Sequence, residues 1–242
     1  MLSTFNIDIW PFNKGRTTTQ SIGEQLKTDY HAHWLPGIDD GAKTMGDALE
    51  MIKRFESLGY QKLVATPHIM FDLYPNTPEL IRTRLEEVKE AVRKAGIQIE
   101  LEAAAEYMLD EGFNDHVDNG GLLCIRKNWV LVEQSTLNAS PGVTNTLFKL
   151  QIKGYQPVIA HPERYGYLQT ANLDKFKDFK HSGCLLQLNA LSLTGYYGKP
   201  TQLLAEALLK NKLYSLVGSD AHHMRHLDKL STFNINVSEL KH

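Results

Sequence analysis

Cysteine is nearly absent: the 242-residue chain holds two, Cys124 and Cys184, with no CxxC spacing. That scarcity excludes a disulfide framework and a structural thiolate zinc site, and it leaves two free thiols to be buried. Neither opens a C-x5-R loop, because Val130 and Ala190 stand where the arginine would be, so a thiol-nucleophile phosphatase is also excluded. No apolar run approaches the roughly 18 residues of a membrane span. The opening "MLSTFNIDIWPFNKGRTTTQSIGEQ" lacks the apolar centre of a signal peptide, and the expectation is a cytoplasmic protein without membrane insertion. Charge of one sign is lacking too, with 26 Lys and Arg against 28 Asp and Glu and a net charge of -2. There is no basic stripe with interleaved aromatics to hold a nucleic acid strand, so any anion must be attracted locally. Low-complexity tracts, internal linkers and repeats are missing as well.

What is present alternates short apolar runs with longer amphipathic ones. The apolar runs are "KLVATPH" (62–68), "IQIELEAAAEY" (97–107), "WVLVEQS" (129–135), "QPVIAHPERY" (156–165), "CLLQLNA" (184–190) and "LYSLVGSDAHH" (213–223). Their length and β-branched content suit buried strands. Between them, Thr44 with Asp47 forms a capping box ahead of Ala48, Met51, Ile52 and Phe55, with a stop at Gly59. Thr77 and Pro78 open a second helix with Ile81, Leu85, Val88 and Val92 inward and Gly96 beyond its end. Ser140 and Pro141 predict the start of a third that ends near Gly154, and "TANLDKFKDFKHSG" and "TQLLAEALLKNK" predict two more. Strand–helix alternation with right-handed crossovers gives an α/β protein with a parallel sheet, and about seven such units point to a closed or nearly closed barrel, a doubly wound open sheet being the alternative. The expected division is an N-terminal extension over 1–27 and a single domain over 28–242. In the extension Phe5, Ile7, Ile9, Trp10 and Phe12 suit packing on the barrel or on a partner.

The polar residues then fall into place. His31 and His33 are two apart, so on a strand they share a face and can reach one ion; alone, such a pair is as readily a polar surface strand. His68 ends one run, Glu106 another, Glu133 a third, His161 a fourth, and Asp220 with His222 a fifth. Each has an ordinary reading, whether strand cap, lysine partner or satisfied core histidine. Together they occupy the C-terminal edges of parallel strands, where such barrels build their active sites. Imidazoles with carboxylates and no thiolate suit Mn, Fe or Zn.

"HAHWLPGIDDGA", "TPH", "AAEY", "HPERY" and "GSDAHH" resemble the polymerase-and-histidinol-phosphatase (PHP) superfamily, most closely its bacterial protein-tyrosine phosphatases encoded with capsule and exopolysaccharide genes. The resemblance covers roughly residues 28–226. It implies a single-domain distorted (β/α)7 TIM-like barrel, the PHP fold, holding three divalent metal ions, manganese foremost with Fe, Zn or Mg as alternatives. It implies that His31, His33, Glu106 and Asp220 hold the first metal, that Glu106 bridges to a second held by Glu133 and His161, and that Asp40, His68 and His222 hold the third. Asp39 is then an outer or turn residue and the more dispensable of the carboxylate pair. Three divalent ions would bring about six positive charges against four carboxylates, a balance of about two that suits a phosphomonoester dianion. The expected reaction is in-line attack on phosphorus by water activated at the metals, without a phosphoenzyme.

Arg164 matches the family's phosphoryl-binding arginine, against an ordinary reading as a surface partner of Glu163. A second family arginine has no counterpart, since Leu227 occupies its place, and Arg225 is a displaced candidate; His223 is the candidate general acid. Tyr196, Tyr197, Phe71 and Tyr74 either flank the cleft or pack the rim. The implied substrate is the phosphotyrosine tail of a bacterial tyrosine kinase that controls polysaccharide export, with a homo-oligomer left open. The competing functions are a PHP phosphatase of a small metabolite such as histidinol phosphate and a non-catalytic metal-binding interaction module.

Overall fold

The structure, a computed structural model, describes residues 20–169 and 172–232; the five apolar side chains singled out in the extension lie outside them. Helix α1 (Ile22–Leu26) precedes β1 (Thr28–Ala32), followed by α2 (Met45–Ser57), β2 (Lys62–Ala65), β3 (His68–Ile69), α3 (Pro78–Lys94), β4 (Glu100–Ala103), β5 (Glu106–Met108) and α4 (Phe113–Asn119). The chain continues with β6 (Trp129–Glu133), α5 (Val143–Ile152), β7 (Gln156–Ile159), α6 (Asp174–His181), β8 (Leu185–Asn189), α7 (Ala190–Leu193), α8 (Lys199–Lys210), β9 (Leu216–Gly218) and α9 (Met224–Ser231).

Local chemistry accounts for the long helices. Thr44 and Asp47 cap α2 reciprocally, the Thr44 amide donating to Asp47 Oδ2 at 2.9 Å, and Ala48, Met51, Ile52 and Phe55 form its buried face. Thr77 caps α3, Pro78 sits where a missing N–H costs nothing, and Ile81, Leu85, Val88 and Val92 point inward. Helix α5 starts later than Ser140 and Pro141 predict, because Gly142 turns at φ 71° in the left-handed region and the helix begins only after it. Helices α1, α4 and α7, of five, seven and four residues, escape periodicity because they are too short to show it. Part of the segment counted as extension is packed on the domain: Ile22 is buried and Ser21 Oγ donates to the Leu58 carbonyl at 2.5 Å.

All strand pairs are parallel, in a three-stranded sheet ordered β1-β2-β4 and a six-stranded sheet ordered β3-β5-β6-β7-β8-β9. The expected seven runs therefore appear as nine segments. Two runs are interrupted, one at Thr66 and Pro67 and the other at Ala104 and Ala105. Pro67 has no N–H to give a ladder. The pairing does not slip across the break, with Lys62 opposite Glu100 before it and His68 opposite Glu106 after it. The last strand returns to the first through a parallel bridge between Ala32 and Ala221, with Asp220 N donating to the His31 carbonyl at 2.7 Å and His33 N to the Ala221 carbonyl at 2.9 Å. Leu63, Val64, Val130, Leu131, Val132, Val158, Ile159, Leu186 and Leu188 are buried on the two faces of the strands. Each contributes about 1.5–3 kcal/mol of apolar burial.

Candidate metal centre

Because the strands run in parallel, side chains at or just beyond their C-terminal ends gather at one end of the fold. His31 and Glu133 lie in the last two positions of β1 and β6, His68 and Glu106 open the short segments β3 and β5, and His33, His161 and Asp220 follow β1, β7 and β9 by one or two residues. The structure brings all nine candidate ligands together. His31, His33, Glu106 and Asp220 form one group, His33, Asp40, His68 and His222 another, and His68, Glu106 and Glu133 a third, with the ligand atoms of each within 4.8 Å of one another. His31 Nε2 is 3.1 Å from Glu106 Oε2 and 3.2 Å from Asp220 Oδ1. His161 Nε2 is 3.0 Å from Glu106 Oε1 and 3.9 Å from Glu133 Oε2. His68 spans two groups, with Nδ1 2.9 Å from Glu133 Oε1 and Nε2 3.4 Å from Asp40 Oδ1.

Contacts at Nδ1 orient three of the rings. His33 Nδ1 lies 2.8 Å from Asp39 Oδ2, His31 Nδ1 lies 3.0 Å from Gln187 Oε1, and His222 Nδ1 lies 2.9 Å from the Asp220 carbonyl. These contacts at Nδ1 turn Nε2 of each ring toward the cluster. Close packing adds to this: a Cβ on Gly41 would collide with the His33 carbonyl oxygen, and one on Gly218 would lie 2.5 Å from His31 Cβ and from Gln187 Nε2. His161 and Asp220 hold positive φ angles of 31° and 51°, a backbone state that non-glycine residues adopt at a cost and that clusters at functional sites.

The electrostatics point to bound cations. Burial disfavours charge on His31, yet attraction from Glu106 and Asp220 wins and raises it to about 10. Burial likewise opposes ionisation of Glu106 and Asp220, and the surrounding histidines, His31 foremost, together outweigh it and hold both well below the usual carboxylate range. Glu106 Oε2, Glu133 Oε1 and Asp220 Oδ1 are buried without an aligned hydrogen-bond donor, a costly state unless a cation takes their lone pairs. These residues therefore fit divalent metal ions, in an oxygen and imidazole donor set that suits Mn, Fe, Zn or Mg.

A cleft of about 290 Å³ opens over the cluster, with Arg164, His161, Asp220 and His222 in its lining together with Met70, Leu73 and Met108. Arg164 donates to Asp220 Oδ2 at 2.5 Å, and its guanidinium lies over the Tyr197 ring, 4.3 Å from the centroid. The alternative surface pair with Glu163 does not form. Glu163 is buried, accepting from Ser192 Oγ at 2.8 Å, Tyr214 OH at 2.9 Å and Asn189 N at 3.0 Å. Asn189 Nδ2 in turn donates to Asp220 Oδ2 at 2.9 Å. His223 and Arg225 are exposed and not among the described residues lining the cleft; the His223 ring lies 3.9 Å from that of His226. Tyr197 packs beneath Arg164, Tyr196 sits edge-on to His226 at 4.8 Å, Tyr74 stacks on His68 at 5.7 Å, and Phe71 is exposed. Gln187 and Asn189 went unassigned from sequence. Their signal was two amides at period two inside the leucine run "LLQLN", polar groups that a buried strand carries only for a partner.

The CapC protein of Staphylococcus aureus is 32% identical over 195 residues, covering 80% of this chain and 76% of its own. Tyrosine-protein phosphatase YwqE of Bacillus subtilis is 29% identical over 198 residues, covering 81% of this chain and 78% of its own. A solved structure from the pair YwqE of Bacillus subtilis and CpsB of Streptococcus pneumoniae, metal-dependent tyrosine phosphatases, superposes with a TM-score of 0.77 at 27% identity over 84% of both chains. An amidohydrolase from Mycoplasma synoviae shares the fold alone, with a TM-score of 0.52 at 12% identity, covering 88% of this chain and 78% of its own. The profile of the capsular polysaccharide synthesis family CpsB/CapC matches residues 27–229, and the chain belongs to that family.

Proposed function

We propose that this protein is a metal-dependent protein-tyrosine phosphatase that hydrolyses phosphotyrosine on the tail of a bacterial tyrosine kinase controlling capsular or exopolysaccharide synthesis. The observation that carries the reading is the buried histidine and carboxylate cluster with unpartnered oxygens, lying under a cleft whose only arginine or lysine among the described lining residues is Arg164. His31, His33, Glu106 and Asp220 would hold one divalent ion, Glu106, Glu133 and His161 a second, and Asp40, His68 and His222 a third, with manganese as the first choice. Bound there, such ions supply a water of lowered pKa and positive charge against the phosphoryl oxygens. The chain's own residues do the rest. Asp39 and Gln187 fix the rings of His33 and His31. Arg164, held by Asp220 and Tyr197, presents a planar guanidinium suited to two phosphoryl oxygens. Water oxygen bonds to phosphorus as the bond to the phenolic oxygen breaks in line, and no protein nucleophile is required. The leaving phenol has a pKa of about 10, so it departs with little acid assistance. Neither His223 nor Arg225 is assigned a role in the cleft.

Several further readings belong to the same proposal. The two sheets are counted as one distorted seven-stranded (β/α) barrel, supported by the unbroken register across both interruptions and by the bridge from Ala221 to Ala32. The domain starts within residues 20–27 because α1 is packed on it. A cytoplasmic location agrees with the finding that no helix among the described residues is long and apolar enough to cross a membrane. The test is metal analysis of the purified protein coupled to turnover of phosphotyrosyl peptides with and without chelator. Activity lost on chelation and restored by manganese supports the proposal, and much faster hydrolysis of histidinol phosphate than of phosphotyrosyl peptides would replace it with a small-metabolite phosphatase.

A further inference from the structure

Three large apolar side chains line the cleft among its charged and polar groups. Met70 and Leu73 reach it from the loop after β3, and Met108 from the end of β5 beside Glu133, in the same cavity of about 290 Å³ as the histidines, the carboxylates and Arg164. A site that needed only to hold phosphate would have no use for three large apolar side chains beside its cations.

The loop that carries two of them is held in shape. Met70 N donates to the Tyr74 carbonyl at 2.9 Å and Tyr74 N to the Met70 carbonyl at 3.2 Å, closing a tight hairpin. Phe71 N donates to Asp110 Oδ2 at 2.8 Å, and the Phe71 ring lies so close to Gly112 that a Cβ there would come within 2.8 Å. At the base of the hairpin, Asn76 Nδ2 donates to the His68 carbonyl and to the Ile38 carbonyl, each at 2.8 Å, and Tyr74 stacks on the His68 ring. Leu73 projects from this braced hairpin with 73% of its surface exposed. An apolar side chain held in water by a fixed backbone is a prepaid contact, because the ordering cost is met before a ligand arrives.

Resting on the phosphatase reading above, we propose that Met70, Leu73 and Met108 form the surface that receives the phenyl ring of the substrate, and so select aryl over alkyl phosphomonoesters. The occupant follows from the mixed lining of the cleft. A phosphate anchored at the cluster leaves its ester group inside the same cleft as these side chains, and a ring one oxygen away from phosphorus offers the flat apolar area that methionine thioethers and a leucine side chain cover well. A serine phosphate offers a single methylene group there.

The experiment measures kcat/KM of manganese-loaded protein for a phosphotyrosyl peptide and for the same peptide carrying phosphoserine, in the wild type, Leu73→Ser, Met108→Ser and Leu73→Met. Loss of one apolar contact of this kind changes discrimination about tenfold or more. The aryl-to-alkyl ratio is therefore expected to fall about tenfold in each serine variant, with the change in KM as befits a contact made equally in ground and transition states. Leu73→Met, which keeps the volume, is expected to hold the ratio. Leu137→Ser, a change at a 78% exposed leucine that does not line the cleft, serves as the surface control and is expected to leave both substrates unaffected. A ratio unchanged in both Leu73→Ser and Met108→Ser overturns the inference while leaving the phosphatase reading intact. A wild type that hydrolyses phosphoserine as fast as phosphotyrosine overturns both.

Discussion

Asp39 Oδ2 stands 2.8 Å from His33 Nδ1, on the side of the ring facing away from the cluster. The same carboxylate accepts from Gly41 N at 2.9 Å and His68 N at 3.2 Å, and it is buried. Its neighbour Asp40 is 51% exposed and reaches His222 Nε2 at 3.3 Å. Adjacent carboxylates thus have separate surroundings, Asp39 bracing His33 and two backbone amides and Asp40 facing the candidate metal centre.

Substitution should separate the two. Asp39→Ala strands the buried His33 nitrogen and two backbone donors, which costs about 1–3 kcal/mol for each group left unsatisfied; the melting temperature of chelator-stripped protein is expected to drop. Asp40→Ala is expected to leave that temperature nearly unchanged while lowering bound metal and turnover. Equal melting losses in the two variants would remove the distinction. The family resemblance makes Asp39 the more dispensable of the pair, and a larger melting loss in Asp39→Ala than in Asp40→Ala would confine that dispensability to catalysis.

Arg164 is the second subject. Arg164→Lys keeps the charge but loses the planar fork and the stacking on Tyr197. Both Arg164→Lys and Arg164→Ala are expected to lower kcat on phosphotyrosyl peptide on the order of 10²-fold, the usual loss for one donor to a transition-state oxygen. Metal content should stay at the wild-type level. Full rescue by lysine would show that charge alone suffices.

Removal of metal should reveal a pH dependence of known sign. In stripped protein, burial opposes charge on His31 and His68, but the surrounding carboxylates prevail and raise each to about 10. A histidine raised in the folded state stabilises fully below its unfolded value near 6.5 and loses that stabilisation as pH rises toward 10. The melting temperature of stripped protein is expected to fall from pH 6.5 to 10. Manganese-loaded protein should fall less, because bound ions replace those protons. A stripped protein that grows more stable over this range would contradict the assigned charges.

Much of this was legible in advance because it is local. Capping at Thr44 and Thr77 and inward residues at helical spacing depend on neighbours within a few positions, and α2 and α3 begin where their caps predict. Eight of the nine candidate ligands were legible for a different reason: each ends or follows an apolar run, and parallel strands carry such positions to one end, whereas Asp40 came from the family resemblance alone. Gln187 and Asn189 were passed over because an amide in a strand shows its purpose only when its partner, His31 or Asp220, arrives from a distant part of the chain.

Residue identity and spacing alone determined the α/β alternation, the absence of a C-x5-R loop and the histidines and carboxylates at the strand ends. The tertiary structure decided that Arg164 pairs with Asp220 while Glu163 turns inward to Ser192 and Tyr214, that Asp39 braces His33, and that Leu73 stands in the cleft mouth. The physical reason is range. Helix caps and strand periodicity are settled within a few residues, whereas an ion pair or a cleft wall depends on which strands become neighbours and in what register, and that is set by packing the whole core at once.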